Sequence, residues 1–415
     1  MSEYIEDSGE FPDYMRDKNV GRQAAAQIKG VFETIRNYKV PVVVLERDSD
    51  VESVCRVFET INSTGTRLRT FDLAVARFYP KPDLRQLWSD AQEKHSILKD
   101  FEVDGERVLQ VLFLVTAARN QKKYPQPTRS NLLDLTPGEI DREWEKSSAD
   151  LAEMYKWARG QGARPKTLPS HNLLVPLAAV RSLELRGVNK DLWENYDFIR
   201  RWYFTKIMQP GVSQASNYRI GQDFQELRQY VADDRRPTLI EVTLNAKIVL
   251  RLRPSDVRYK SLQNVFATTI RHDLVSGNSI DSESVFHDHH IFPKHAAKRH
   301  GLPQSMLDSI CNRVPILADS NQSLGESYPK DYFQQMADRA RNEGTLDNLK
   351  RRMQDCLIPG DPCDPAWADS FSIERFQEFC EQRARLIVAR VREIVGDSLR
   401  FDSSSDDELL EGSDV

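Results

Sequence analysis

The sequence predicts an α+β protein that is mostly helical, and three observations carry the prediction. Apolar residues recur at helical spacing over most of the 415 residues. Only two stretches read as extended chain, a β-branched run over 39–46 and a short hairpin around the histidines at 286–291. A long amphipathic segment, Ile373 to Val395, closes the ordered part of the chain. A chain of this length holds two or three domains and can bury a substantial core. The expected organisation is an N-terminal segment over 1–80, a helical domain over 81–255, a histidine-bearing module over 256–358, a C-terminal helix over 359–400 and an acidic tail over 401–415.

In chain order, the first forty residues offer Gly21-Arg22-Gln23 and a helix through Ile35. Val40, Val42, Val43 and Val44 make the first strand. A helix then starts near Val51, with Val54, Val57, Phe58 and Ile61 on one face, and stops at Asn62-Ser63-Thr64-Gly65, where glycine supplies a left-handed terminus. Another begins near Thr70-Phe71-Asp72-Leu73. From about 84 to 252 the chain reads as helices. Val108, Leu109, Val111, Leu112, Phe113 and Val115 define a core helix, amphipathic helices cover 173–185 and 192–207, and Pro165–Pro169 is a connector. Arg200-Arg201-Trp202-Tyr203-Phe204 admits two interpretations. Aromatics interleaved with arginine can stack nucleic-acid bases, whereas an aromatic stripe at helical spacing is more often core. After the breaker Pro359-Gly360-Asp361-Pro362, the final helix packs back on the helical region or supports a homodimer.

Composition narrows the class. With 40% hydrophobic and 29% charged residues, the chain is typical of soluble globular proteins. It has no apolar run of membrane-spanning length and no basic-then-apolar leader, so no membrane association is expected. Five scattered cysteines without a Cys-x-x-Cys pair point to reduced thiols and a cytoplasmic location. The net charge of −5 is dominated by the tail, where Asp402–Val415 carries six acidic residues and no basic one. Without that tail the chain is near +1, so charge neither supports nor excludes a nucleic-acid partner.

The most informative segment is Phe286-His287-Asp288-His289-His290-Ile291-Phe292-Pro293-Lys294-His295. Six of the eight histidines lie between His272 and His300. Histidine serves near neutral pH as a general base or a metal ligand, although a solvated cluster is the plainer explanation. Adjacent residues of a strand face opposite sides, so His289 and His290 can divide these two tasks only if the backbone bends, as a short hairpin leading into a helix is expected to make it do. Downstream, Asn312 opens the short apolar run Val314-Pro315-Ile316-Leu317, and Asn321 follows nine positions later.

His-His-Ile-x-Pro followed by asparagines at this spacing resembles the HNH nucleases of the His-Me finger (ββα-metal) group. It looks closest to the C-terminal module of GmrSD-type, modification-dependent restriction proteins. The resemblance covers about 281–332, including Pro329-x-x-Tyr332. It implies an endonuclease of a restriction or anti-phage system that hydrolyses DNA phosphodiesters. His290 would then be the general base and Asn312 a brace that orients it. His289 would be a metal ligand, and Asn321 the second ligand or its close neighbour. Asp288 is the alternative to His289, since many such nucleases carry Asp directly before the base. Mg²⁺ suits such an oxygen-rich site best, while an imidazole ligand admits Mn²⁺, Ni²⁺ or Zn²⁺. Lys294, His295, Lys298 and Arg299 form a candidate surface for the phosphate backbone, with a solvated helix face as the plainer interpretation of each charge. His287 is expected to be structural or exposed.

Upstream, Phe58-Glu59-x-x-Asn62-x-x-Gly65-x-x-Leu68 resembles part of the ParB/sulfiredoxin-like N-terminal domain of the same proteins. The Asp-Gly-Gln-Gln-Arg motif that handles nucleotide there is absent before Lys39. That departure implies no nucleotide site in this chain, the nucleotide-binding half being missing, degenerate or supplied by a partner polypeptide. The alternative function is a non-catalytic subunit of a split complex that binds DNA or a partner; an RNA-directed nuclease is a third.

Overall fold

The computed structural model describes residues 21–39, 44, 57, 69–183, 196–212, 217–233, 243–281, 284–363, 365 and 371–396. The expected strand at 39–46, the helix from Val51, the Phe58–Leu68 signature and the acidic tail lie almost wholly outside these residues. The chain separates into two compact units, Met1–Thr64 and Gly65–Val415. What is described of the first is essentially helix α1, Arg22–Asn37. Its Ile28, Val31 and Ile35 form one apolar stripe and are exposed.

The second unit is mostly helical. It begins with α2, Thr70–Phe78, at the start expected from sequence; the Asp72 carboxylate accepts from the Arg69 backbone N–H and fixes the first turn. Helix α3, Glu106–Arg119, is buried from Val108 to Ala118 without a break. A helix apolar on all sides belongs in the centre of a bundle, and α3 packs against both α4, Pro137–Gly160, and α5, Leu174–Ser182. The start of α4 is set by Pro137 at its first position and a reciprocal capping box between Thr136 and Glu139. Helices α6, Tyr196–Ile207, and α7, Asn217–Asp233, complete this region, with α7 against α5. Trp202, Tyr203 and Phe204 are fully buried, so the aromatic–arginine stripe is core.

The histidine-bearing part belongs to the same compact unit. Helices α8, Ala246–Arg251, and α9, Val257–Thr269, lead into strand β1, His287–His290. After the short helix α10, His295–His300, strand β2, Arg313–Ile316, pairs antiparallel with β1. Helix α11, Ala318–Leu324, follows immediately, then α12, Pro329–Asn342, and α13, Leu346–Asp355. Helix α14 spans Ile373–Val395, the bounds expected from its periodicity, and packs on α6 and α8. Arg383 anchors it: fully buried, it donates to the carbonyls of Leu357, Cys311 and Cys356. The described cysteines, Cys311, Cys356, Cys363 and Cys380, are free. Among the described residues no helix is long and apolar enough to cross a membrane.

Candidate functional site

The hairpin brings Asn312 to the base of the histidine strand. His290 pairs with Arg313 and His289 with Val314, and beyond them the Ile291 N–H donates to the Asn312 carbonyl at 2.9 Å. The Asn312 side chain is fully buried. Its Oδ1 accepts from the Phe292 N–H at 2.8 Å, and its Nδ2 donates to the carbonyls of Phe292 and Leu307 at 3.1 and 3.0 Å. A carboxamide is suited to this position because it offers donor and acceptor together to backbone groups removed from water. The Asn312 side chain thus ties backbone groups of Phe292 and Leu307 together. Its described hydrogen bonds do not reach the imidazole of His290.

Strand alternation divides the histidines between two faces. On one face His289 is buried, and its Nδ1 lies 2.9 Å from Asn321 Oδ1. The amide nitrogen of Asn321 lies 3.5 Å from Nδ1 of the exposed His287. On the other face His290 Nε2 lies 3.1 Å from Asp308 Oδ1, and Arg313 donates to that same oxygen at 2.7 Å. Asp288 shares this second face: its Oδ2 accepts from the Tyr259 hydroxyl at 2.6 Å and lies 3.4 Å from Arg313 Nη1. The structure brings His289, and not Asp288, to Asn321. All four residues of β1 are paired in register, so no bend turns the two histidines to one side.

Electrostatics follow from this placement. Burial, and next the Arg313 guanidinium, pull His290 down to about 4, while the Asp308 hydrogen bond opposes them. His289 is lowered chiefly by burial. Both imidazoles are thus neutral near pH 7. A carboxylate beside Nε2 assigns the His290 proton to that nitrogen and leaves the Nδ1 lone pair free to accept one. Burial raises Asp308, but hydrogen bonds from Gln304, His290 and Arg313 more than offset it and keep the group an anion. Asp288 is raised, mainly by burial.

The helix carrying Asn321 is fixed by Asp273. This fully buried carboxylate accepts from the Leu317 N–H at 2.8 Å and from the Ser320 hydroxyl at the start of α11. Neither Asp273 nor Asp308 carried a signal in the sequence. Both stand outside the histidine run and meet it only through the fold. Tyr332, from the trailing Pro329-x-x-Tyr332, donates to the Ile291 carbonyl at 3.2 Å and supports the strand from beneath.

The neighbours that were candidates for a phosphate surface are less uniform. Lys294 and Arg299 are exposed. His295 Nδ1 lies 3.5 Å from Glu326 Oε2 and packs edge-on against Tyr328. Arg299 lines a cavity of about 380 Å³ with Phe292, His300, Tyr328 and Phe371. The side chain of Lys298 lies outside the described residues.

His289 Nδ1 and Asn321 Oδ1 stand at an ordinary hydrogen-bond distance of 2.9 Å, the Nδ1–H donating to the amide oxygen. That bond leaves the ring's one lone pair on Nε2, which is buried with no hydrogen-bond partner among the described residues and is the nitrogen suited to a cation. Among the described residues no three His, Cys, Asp or Glu side chains converge.

Comparison with known proteins adds little to this geometry. The chain is 24% identical over 392 residues to a protein of Methanocaldococcus jannaschii described as uncharacterized, a match covering 89% of this chain and 67% of that one. No protein-family model matches the chain.

Proposed function

We propose that the protein is a metal-dependent DNA endonuclease of the HNH type, acting in a restriction or anti-phage system. The observation that carries this proposal is the division of labour at the hairpin. His289 and Asn321 form a neutral N,O pair on one face, while on the other His290 is kept neutral by burial and the Arg313 guanidinium and is oriented by its hydrogen bond to Asp308. The hairpin and helix over 287–324 serve as the ββα-metal core.

His290 takes a proton from water at Nδ1 while Asp308 holds the Nε2–H and fixes the ring orientation. Asn312 keeps the strand end in place through its grip on Phe292 and Leu307, and Asp273 holds α11 so that Asn321 stays beside His289. His289 and Asn321 would hold a cation, Mg²⁺ first and Mn²⁺, Ni²⁺ or Zn²⁺ next, which would supply charge neutralisation at the phosphate and the departing oxygen.

The deciding experiment is nicking of supercoiled plasmid with Mg²⁺, Mn²⁺ or EDTA by the wild type and His290→Ala. The expected result is metal-dependent nicking that falls by about 10²–10⁴-fold in the variant with DNA affinity and fold unchanged. Undiminished cleavage by His290→Ala sinks the assignment of the base. No cleavage by the wild type with any metal favours a non-catalytic subunit, and cleavage of RNA alone changes the substrate.

A further inference from the structure

A cavity of about 340 Å³ opens beside the same hairpin, on the face that carries Asp288. It lies between the connector that follows α4, the helix α9 and the segment leading into β1. Phe286, Val285 and Pro165 provide apolar walls, Gln263 and Asp288 provide polar groups, and Lys166 is exposed at the rim. Val285 is 75% exposed on the short segment that leads into β1. Arg164 lies over the Phe286 ring, 5.7 Å from its centroid, and donates to the carbonyls of Arg159, Ala163 and Asp281. The guanidinium therefore holds the aromatic wall in place.

These features suit a ligand with a flat aromatic part and an anionic part. The volume is at the lower end of the range for small-molecule sites, enough for one nucleotide unit. Of the three cations that line the cavity, Arg159 is paired with Asp100 at 2.8 Å and Arg164 is engaged with backbone carbonyls and the Phe286 ring, and the carboxylate of Asp288 is likewise tied to Tyr259 and Arg313. Lys166, exposed at the rim, is therefore the cation that meets an anion at the mouth, and an aromatic ring and a lysine in one cavity are the pairing that stacks a base while holding its phosphate. Pro315 of β2 and Asp288 of β1 belong to both the cavity and the hairpin, so a nucleotide seated here is directly coupled to the strands that carry His289 and His290.

We propose that this cavity binds one nucleotide of the DNA strand being cut, with the base against Phe286 and the phosphate at Lys166. The inference rests on the endonuclease assignment for its choice of strand, and its test is independent of cleavage. Binding of a fluorescein-labelled single-stranded 12-mer is measured by anisotropy in EDTA, over a range of salt, for wild type, Lys166→Ala, Phe286→Ala and Val285→Glu. Lys166 and Val285 are exposed, so their variants fold whatever becomes of Phe286→Ala.

The expected result is a five- to tenfold loss of affinity in each variant, the stacking loss matching the scale of about 1–3 kcal/mol per base. The salt slope should fall by about one for Lys166→Ala and stay unchanged for Phe286→Ala. Competition by free deoxynucleoside monophosphates that is lost in Val285→Glu shows that the isolated unit suffices. Dependence on these residues without such competition assigns the strand as the source. Wild-type affinity and salt slope in both Lys166→Ala and Val285→Glu overturn the site, even if the wild type cuts DNA. Conversely, weakened binding by the variants of a protein that never cuts DNA keeps the site and removes the nuclease.

Discussion

Replacing Asn312 with Ala removes three side-chain hydrogen bonds from a place that water does not reach. The Phe292 N–H, the Phe292 carbonyl and the Leu307 carbonyl lose their partner together, and the side chain is fully buried. An unsatisfied buried polar group costs about 1–3 kcal/mol, and the three share one side chain, so their costs do not add fully. The expected loss is roughly 3–6 kcal/mol, a large part of the about 5–15 kcal/mol that stabilises an ordinary domain. Urea unfolding followed by tryptophan fluorescence reads it, since Trp144, Trp157 and Trp202 lie in the same compact unit. Asn312→Asp sharpens the test. It keeps the acceptor for the Phe292 N–H but turns a second oxygen toward two carbonyls, which a protonated carboxyl tolerates and a carboxylate does not. Its deficit relative to wild type should therefore be largest at neutral pH and shrink on acidification. A stability change below about 1 kcal/mol in Asn312→Ala, or a pH-independent deficit in Asn312→Asp, would refute the assignment of Asn312 as a backbone brace.

Further outcomes are expected. His290 must be unprotonated to act as a base, and its pKa lies at about 4, so the acid limb of kcat/KM should fall well below the ordinary imidazole value of about 6.5. Asp308→Asn removes an interaction that raises His290, so the limb should move lower still and kcat should drop; an unmoved limb in a pH–rate profile separates Asp308 from the base. His289→Ala and Asn321→Ala should each weaken Mn²⁺ binding at least tenfold by calorimetry without lowering the melting temperature by more than a few degrees, and unaltered binding in both removes the proposed metal pair. His171, hydrogen-bonded to the buried Tyr155 hydroxyl at 2.7 Å, is lowered to about 4, mainly by burial. Its neutral form stabilises the fold above the unfolded value of about 6.5, and that stability is lost as pH falls from 6.5 toward 4. The effect is on the order of 3 kcal/mol, and His171→Gln should flatten that part of the stability-versus-pH curve.

Much of the helical framework was legible because burial imposes a period on the sequence. The limits of α14 and the start of α2 coincide with those expected from apolar spacing and caps. The buried run in α3 matches the segment whose residues are apolar on every side. The helix expected over 192–207 is described from Tyr196, the residues just before it lying outside those described. That expected over 173–185 is Leu174–Ser182, since helix ends answer to local hydrogen bonds more than to periodicity. Residues from Gly65 onward form one compact unit, within which α14 packs on α6 and α8, a long-range contact that no local pattern records.

At the site, the sequence by itself named the candidates: two adjacent histidines, Asn312 and a second asparagine nine positions on. Their type and order are local facts, set by what imidazole and carboxamide groups can donate, accept and ligate. Only the tertiary structure decided how they are used. Pairing of β1 with β2 sends His289 toward Asn321 and His290 toward Asp308, and it turns Asp288 to Tyr259 and Arg313. Asp273 and Asp308 join the site from segments with no motif of their own. The physical reason is that a side chain's role depends on its desolvation and its partners, and both are properties of neighbours distant in the chain.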